Sequence, residues 1–224
     1  MATRPIALLG GTFDPVHYGH LRLADDVRRA LALDEVRLVP AGDPPHRGGP
    51  QASARDRLAM LTLAAREFAG LVVDDREIER AGKSYTVLTL EALRREDASR
   101  PLLLIVGADA FLGFPTWHRW RDVFDLAHVV VVARPGVNLA DALPPELAAE
   151  WRARLTHDKQ ILFSTPAGAI YQQPIAPHPI SASAIRNVLE RGSSGRDAVR
   201  AMLPTAVLAY IDHHRLYQAP KDAT

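Results

Sequence analysis

Short apolar runs alternate along the chain with longer stretches whose apolar positions recur every three to four residues. The runs at 6–9, 35–39, 71–73, 102–106, 129–133 and 160–163 predict strands, and the stretches at 18–31, 54–68, 87–95, 122–126, 145–155, 182–190 and 205–213 predict helices. The clearest strand-like runs are continuously apolar, as in Leu102-Leu103-Leu104-Ile105-Val106, which is the mark of strands covered on both faces. Strand and helix in strict alternation build βαβ units. The expectation is a single-domain α/β fold over 1–224, with a doubly wound, mostly parallel sheet and helices on both faces. Residues 181–217 are expected to form a helical part packed on that sheet, and 219–224 to fray. The Pro- and Gly-rich stretch 41–51 and the stretch 135–145 read as loops, each too short and too closely flanked by core-like elements to be a linker.

Composition narrows the function classes. A length of 224 residues suffices for one sizeable core, and a formal net charge of +1 gives no field for nucleic acid or a membrane surface. The absence of cysteine excludes disulfides, thiolate metal sites and a cysteine nucleophile. No apolar run is long enough for a bilayer, and residues 1–4 lead straight into the first strand without a leader pattern, so a cytoplasmic protein is expected. Lys83, Lys159 and Lys221 are the only lysines. Arginine abundance on that scale reflects genome base composition, so only individually placed arginines bear on function.

Chemistry concentrates in Gly10-Gly11-Thr12-Phe13-Asp14-Pro15-Val16-His17-Tyr18-Gly19-His20, between the first strand and the first helix. Glycines at a strand end let the backbone turn and approach a ligand closely. The first turn of the following helix offers N–H groups and a partial positive charge that favour phosphate. His17 and His20, three apart at the helix start, share roughly one face and can donate hydrogen bonds where charge develops on phosphoryl oxygens. A second cradle is Ile180-Ser181-Ala182-Ser183-Ala184-Ile185-Arg186, where hydroxyls and a guanidinium meet another helix start. An ordinary helix capped by Ser181 is the plain alternative.

The first segment resembles the signature of the nucleotidyltransferase superfamily with paired histidines. The chain is most similar there to the bacterial nicotinate mononucleotide adenylyltransferases. The resemblance spans Gly10 to Arg186 in six ordered segments and implies a Rossmann-like fold. It also implies adenylyl transfer from ATP to nicotinate mononucleotide, giving nicotinate adenine dinucleotide and pyrophosphate in NAD biosynthesis. It implies Gly10, Gly11, Thr12, Phe13, His17, His20, Arg134, Ser181, Ser183 and Arg186 on ATP, with His17, His20 and Arg186 catalytic. For the mononucleotide it implies Asp14, His46 and Arg47 in the 41–51 loop, Thr86, Gly107, Asp109, Trp117 and His118, with Trp117 stacking on the pyridine from a loop and Trp120 in the core. Ala182 and Ser183 depart from the family's serine and threonine, so no side-chain role carries over at 182. Mg²⁺ is expected to travel with the triphosphate, without dedicated protein ligands, and the enzyme to be a monomer or homodimer.

Alternatives stay open at this level. Ser84 or Thr86 can simply cap a helix, and so can Asp109. His213 and His214 are adjacent but have no third metal ligand nearby. The same chemistry on another acceptor, such as phosphopantetheine or the amide mononucleotide, and a non-catalytic nucleotide-binding module are the rival readings.

Overall fold

A computed structural model describes residues 4–45, 49–191 and 196–218. Among these, seven strands form one sheet: β1 (Ile6–Gly11), β2 (Val36–Pro40), β3 (Leu71–Val73), β4 (Leu102–Gly107), β5 (His128–Ala133), β6 (Leu155–Thr156) and β7 (Ile170–Pro174). Their order is β3-β2-β1-β4-β5-β7-β6, and every pairing is parallel. The helices are α1 (Tyr18–Ala30), α2 (Ala54–Ala65), α3 (Arg76–Glu79), α4 (Thr86–Glu96), α5 (Ala108–Leu112), α6 (Asp122–Leu126), α7 (Pro145–Arg154), α8 (Ile161–Ser164), α9 (Ala182–Glu190), α10 (Arg196–Arg200) and α11 (Thr205–His214).

Period-two alternation along the strands explains the two layers. In β1, Ala7 and Leu9 belong to a core with Leu21, Val27, Met60, Leu61, Ile185 and Val207, under α1, α2, α9 and α11. Ile6 and Leu8 face the opposite core, with Leu90, Leu93, Phe111, Phe114, Phe124 and Trp151 under α4 to α7. Both faces are thus covered, as continuously apolar strands require. The winding direction reverses between β1 and β4, and in such sheets the crevice beyond the carboxyl ends at that point is where ligands bind.

Two expectations fail in the last third of the sheet. The run at 160–163 is not a strand: Asp158 Oδ1 accepts the Gln160 N–H at 2.9 Å and starts the helical turn α8, which buries Leu162. A three-residue apolar run fits either state, and the local turn decides it. The strand is instead β7, Ile-Tyr-Gln-Gln-Pro, whose apolar signal is diluted by two glutamines. The predicted helix 145–155 stops one residue early, and Leu155 opens the short edge strand β6. Trp120 is buried as expected, and Trp117 lies in extended backbone after a single 3-10 turn. Segment 219–224, expected to fray, lies outside the described residues.

Candidate active site

Strands β1 and β4 pair as far as Leu9 with Ile105 and then end on Gly10-Gly11 and Gly107. A methyl group added at Gly10 or at Gly107 would meet nothing within 4 Å. The glycines therefore open the switch point to a ligand rather than relieve packing. Gly11 differs: its would-be methyl lies 3.1 Å from the Phe13 ring, which folds back over it from a backbone φ of 51°.

A cleft of about 350 Å³ opens beside this point, lined by Thr12, Phe13, Asp14, His20, Pro44, Gly49, Pro50, Ala182 and Arg186. It brings the glycine-histidine segment, the 41–51 loop and the start of α9 together across 170 residues of sequence. His46 and Arg47, in the same loop, lie outside the described residues.

His17 and His20 do not stand side by side toward solvent. His17 is the N-terminal cap residue of α1 and is 4% exposed. Its ring stacks on that of His20, and its backbone N–H donates to His20 Nδ1 at 3.3 Å. Burial pushes the His17 imidazole down to about 4; burial and then the His17 neighbour push His20 down to about 3. Both rings are neutral at pH 7. With Nδ1 accepting, the single ring proton of His20 sits on Nε2, so His20 brings a neutral N–H donor to the cleft. His17 Nδ1 is buried without a partner among the described residues.

The start of α1 is less open than its sequence suggests. The Tyr18 N–H is taken by the Met202 carbonyl at 2.9 Å and the His20 N–H by the His17 carbonyl at 3.0 Å. Two of the first-turn N–H groups are thus satisfied within the protein, and side chains add donors here. Arg186, half a turn beyond the first turn of α9, donates from Nη1 to the Asp14 carbonyl at 2.6 Å and from Nη2 to Ser183 Oγ at 3.2 Å. Ser181 is the cap residue of α9, yet its hydroxyl caps no backbone N–H and is exposed. Plain capping does not account for it.

Asp14 lines the cleft, but its buried carboxylate is committed to protein donors: the N–H groups of Gln51 and Ala52 and the Tyr217 hydroxyl. It anchors the loop that carries His46 and Arg47. Two further residues of this cluster escaped the sequence reading. Arg57, 1% exposed, donates to the carbonyls of Thr12 at 2.7 Å and Gly42 at 3.1 Å. Its signal was there: Arg57 falls on the face of α2 shared with Met60, Leu61 and Ala64. Tyr217, 203 residues from Asp14, gave none.

A second group assembles beyond β2, β4 and α4. Ser84 Oγ accepts the N–H groups of Gly42 and Asp43, and Lys83 pairs with Asp43 at 2.9 Å. Tyr85, preceding Thr86 at the start of α4, lies ring to ring with His118 at 4.4 Å. Arg119 pairs with Glu91 at 2.8 Å and ties that loop to α4. Trp117 packs at 4.5 Å against Phe114 and is part-exposed. Thr86, Trp117 and His118 are thereby gathered near one another, and neither Ser84 nor Thr86 serves as a side-chain cap. Asp109 is exposed in the first turn of α5, and Arg134 is exposed just after β5. Among the other histidines, His128 is a satisfied core residue between Thr165 O and the Ala169 N–H, and His178 pairs with Asp26 at 2.7 Å. Among the described residues no cluster of three or more His, Asp or Glu side chains could hold a metal ion, and no helix is long and apolar enough to cross a membrane.

Residues 8–188 match the model of the cytidylyltransferase-like family. A curated protein of Dechloromonas aromatica, named "Probable nicotinate-nucleotide adenylyltransferase", is 49% identical over 218 residues, covering 96% of this chain and 99% of its own. One of the same name from Acidithiobacillus ferrooxidans is 46% identical over 215 residues, covering 96% of both chains. Among solved structures, Plasmodium falciparum nicotinic acid mononucleotide adenylyltransferase complexed with NaAD superposes with a TM-score of 0.70 at 17% identity, over 96% of this chain and 97% of that one. At that identity the superposition speaks for the fold.

Proposed function

Because the chain belongs to the cytidylyltransferase-like family and, within it, to the nicotinate-nucleotide adenylyltransferases, we propose that it transfers the adenylyl group of ATP to nicotinate mononucleotide. The product is nicotinate adenine dinucleotide, a step of NAD biosynthesis. An oxygen of the mononucleotide phosphate attacks the α-phosphorus of ATP in line. The bond from that phosphorus to the bridging β-oxygen breaks, and pyrophosphate leaves. A phosphate is already an ionised nucleophile at neutral pH, so the reaction asks the protein for alignment and charge stabilisation rather than a base.

The observation that carries this reading is the convergence of His20 and Arg186 on one cleft at the β1/β4 switch point. His20 donates its Nε2–H, and Arg186 its charge, to the triphosphate as negative charge grows on the leaving group. His17 acts from beneath, holding the His20 ring and its tautomer through stacking and the backbone bond. Gly10, Gly11, Thr12 and Phe13 give the nucleotide close backbone approach, and Ser181, Ser183 and Arg134 complete the ATP side. Thr86, Trp117 and His118 flank the pyridine, Gly107 and Asp109 the ribose, and His46 and Arg47 the mononucleotide phosphate. ATP enters as its Mg²⁺ complex, the metal belonging to the substrate.

Purified protein with ATP, Mg²⁺ and one acceptor at a time tests the reading through pyrophosphate release. Release with nicotinate mononucleotide well above that with the amide mononucleotide or phosphopantetheine is expected. No release with nicotinate mononucleotide overturns it.

A further inference from the structure

Tyr217 follows α11, far in sequence from the glycine-histidine segment it reaches. Its ring is buried, and its hydroxyl donates to Asp14 Oδ1 at 2.7 Å. The backbone goes to some trouble to put it there. Arg215 ends α11 at φ 55° and Tyr217 itself sits at φ 59°, left-handed conformations that bulky residues avoid unless the surroundings impose them. Burial and the bond to Asp14 hold the phenol far above its usual range, so it is a donor at any working pH.

Asp14 is where the two halves of the site meet. Its Oδ2 accepts the Gln51 N–H at 2.8 Å and its Oδ1 the Ala52 N–H at 3.1 Å, which fixes the carboxyl end of the 41–51 loop. Its own carbonyl accepts Arg186 Nη1 at 2.6 Å, and Arg186 lies 3.9 Å from Oδ2. A buried carboxylate holds its place only while its oxygens are matched by donors, and charge-assisted bonds such as the one from Tyr217 are the stronger kind.

We propose that Tyr217 is a positioning residue for adenylyl transfer: through Asp14 it sets the aim of Arg186. This rests on the function proposed above. Tyr217 touches no reacting atom. Without its hydroxyl, Asp14 turns toward a replacement donor, with Arg186 the nearest cation beside the cleft, and the guanidinium leaves the phosphate.

The test is a double-mutant cycle on kcat and on the KM for ATP, using the full-length enzyme, with Tyr217→Phe, Arg186→Ala and the pair. Tyr217→Phe keeps the ring and deletes only the hydroxyl. It is expected to lower kcat about tenfold, in line with the cost of small misplacements in aligned sites. In the Arg186→Ala background the same change is expected to lower kcat less than twofold, because the group it positions is gone. A purely structural Tyr217 gives the same factor in both backgrounds, and that result, or an unchanged kcat in Tyr217→Phe, overturns the inference. Should Tyr217→Phe not fold, the cycle is run with Tyr217→Met, which fills the pocket with a flexible apolar side chain and also deletes the hydroxyl; equal factors in the two backgrounds overturn the inference there too. Wild-type enzyme that releases no pyrophosphate defeats the proposed function instead, so the two failures are distinct.

Discussion

The imidazoles of His17 and His20 stack with ring centroids 3.7 Å apart and planes 22° from parallel. The same pair is joined by the His17 amide donating to His20 Nδ1, so one residue fixes both the orientation and the tautomer of the other. Sequence spacing suggests two equivalent positions beside a phosphate, whereas in the structure His17 is buried and His20 lines the cleft. His20→Ala should therefore lower kcat by roughly two to three orders of magnitude, the range for losing one transition-state donor, with a smaller change in the KM for ATP. Steady-state pyrophosphate release measures it, and an unchanged kcat removes His20 from the mechanism.

Gly19 is fixed by the same stack. A methyl group there would lie 2.9 Å from Cε1 and Nδ1 of His17 and 3.3 Å from Cβ of Ile180. Gly19→Ala gains up to about 1 kcal/mol of helix propensity and loses about 1–3 kcal/mol to overpacking. Its net stability change is small or unfavourable, while displacement of the His17 ring tilts His20 and lowers kcat at least about tenfold. Thermal unfolding and turnover on the same preparation separate the two effects.

The histidine pair also predicts the acid limb of stability. In the unfolded chain both imidazoles titrate near 6.5, while in the fold His17 titrates at about 4 and His20 at about 3. Between these values the unfolded state binds more protons, so stability falls as pH falls from about 6.5 toward 3, each site contributing up to about 1.4 kcal/mol per pH unit. Burial lowers His128 in the same direction. Chemical denaturation of wild type and His20→Gln at pH 7, 6 and 5 reads the contribution. The variant should show the shallower decline, and parallel declines would contradict the neutral state of His20 in the fold.

Arg57 ties the carbonyls of Thr12 and Gly42 together and interacts electrostatically with the buried Asp14. Arg57→Leu strands those acceptors and the Asp14 carboxylate in the core. A loss of about 3–5 kcal/mol in urea denaturation is expected, the cost of breaking a buried charge set from one side.

How much of this could be read from residues alone depended on sequence distance. Strands β1, β4 and β5 are built on continuous apolar runs, and their pattern identifies them directly, while β2 is apolar but for Arg37. β7, with polar residues at Gln172 and Gln173, and the two-residue β6 carry too little pattern and are recruited by pairing with the rest of the sheet. His20, Arg186 and the opening glycines were legible because each sits in a compact segment whose local structure presents it. The buried state of His17 was not, since it depends on the stack within the fold. Nor was the commitment of Asp14, whose partners come from residues 51, 52 and 217. Tyr217 reaches the site only because α11 packs on α2 and the chain then turns inward through two left-handed residues.

The central claim is that the α-phosphoryl of ATP, with its adenosine, ends on nicotinate mononucleotide. ATP labelled with ³²P at the α-phosphate, incubated with Mg²⁺, enzyme and nicotinate mononucleotide, tests it in one separation of products. The account predicts the label in a dinucleotide with the mass of nicotinate adenine dinucleotide, formed one for one with pyrophosphate. Label recovered only as ATP, ADP or AMP, with no dinucleotide, would contradict it.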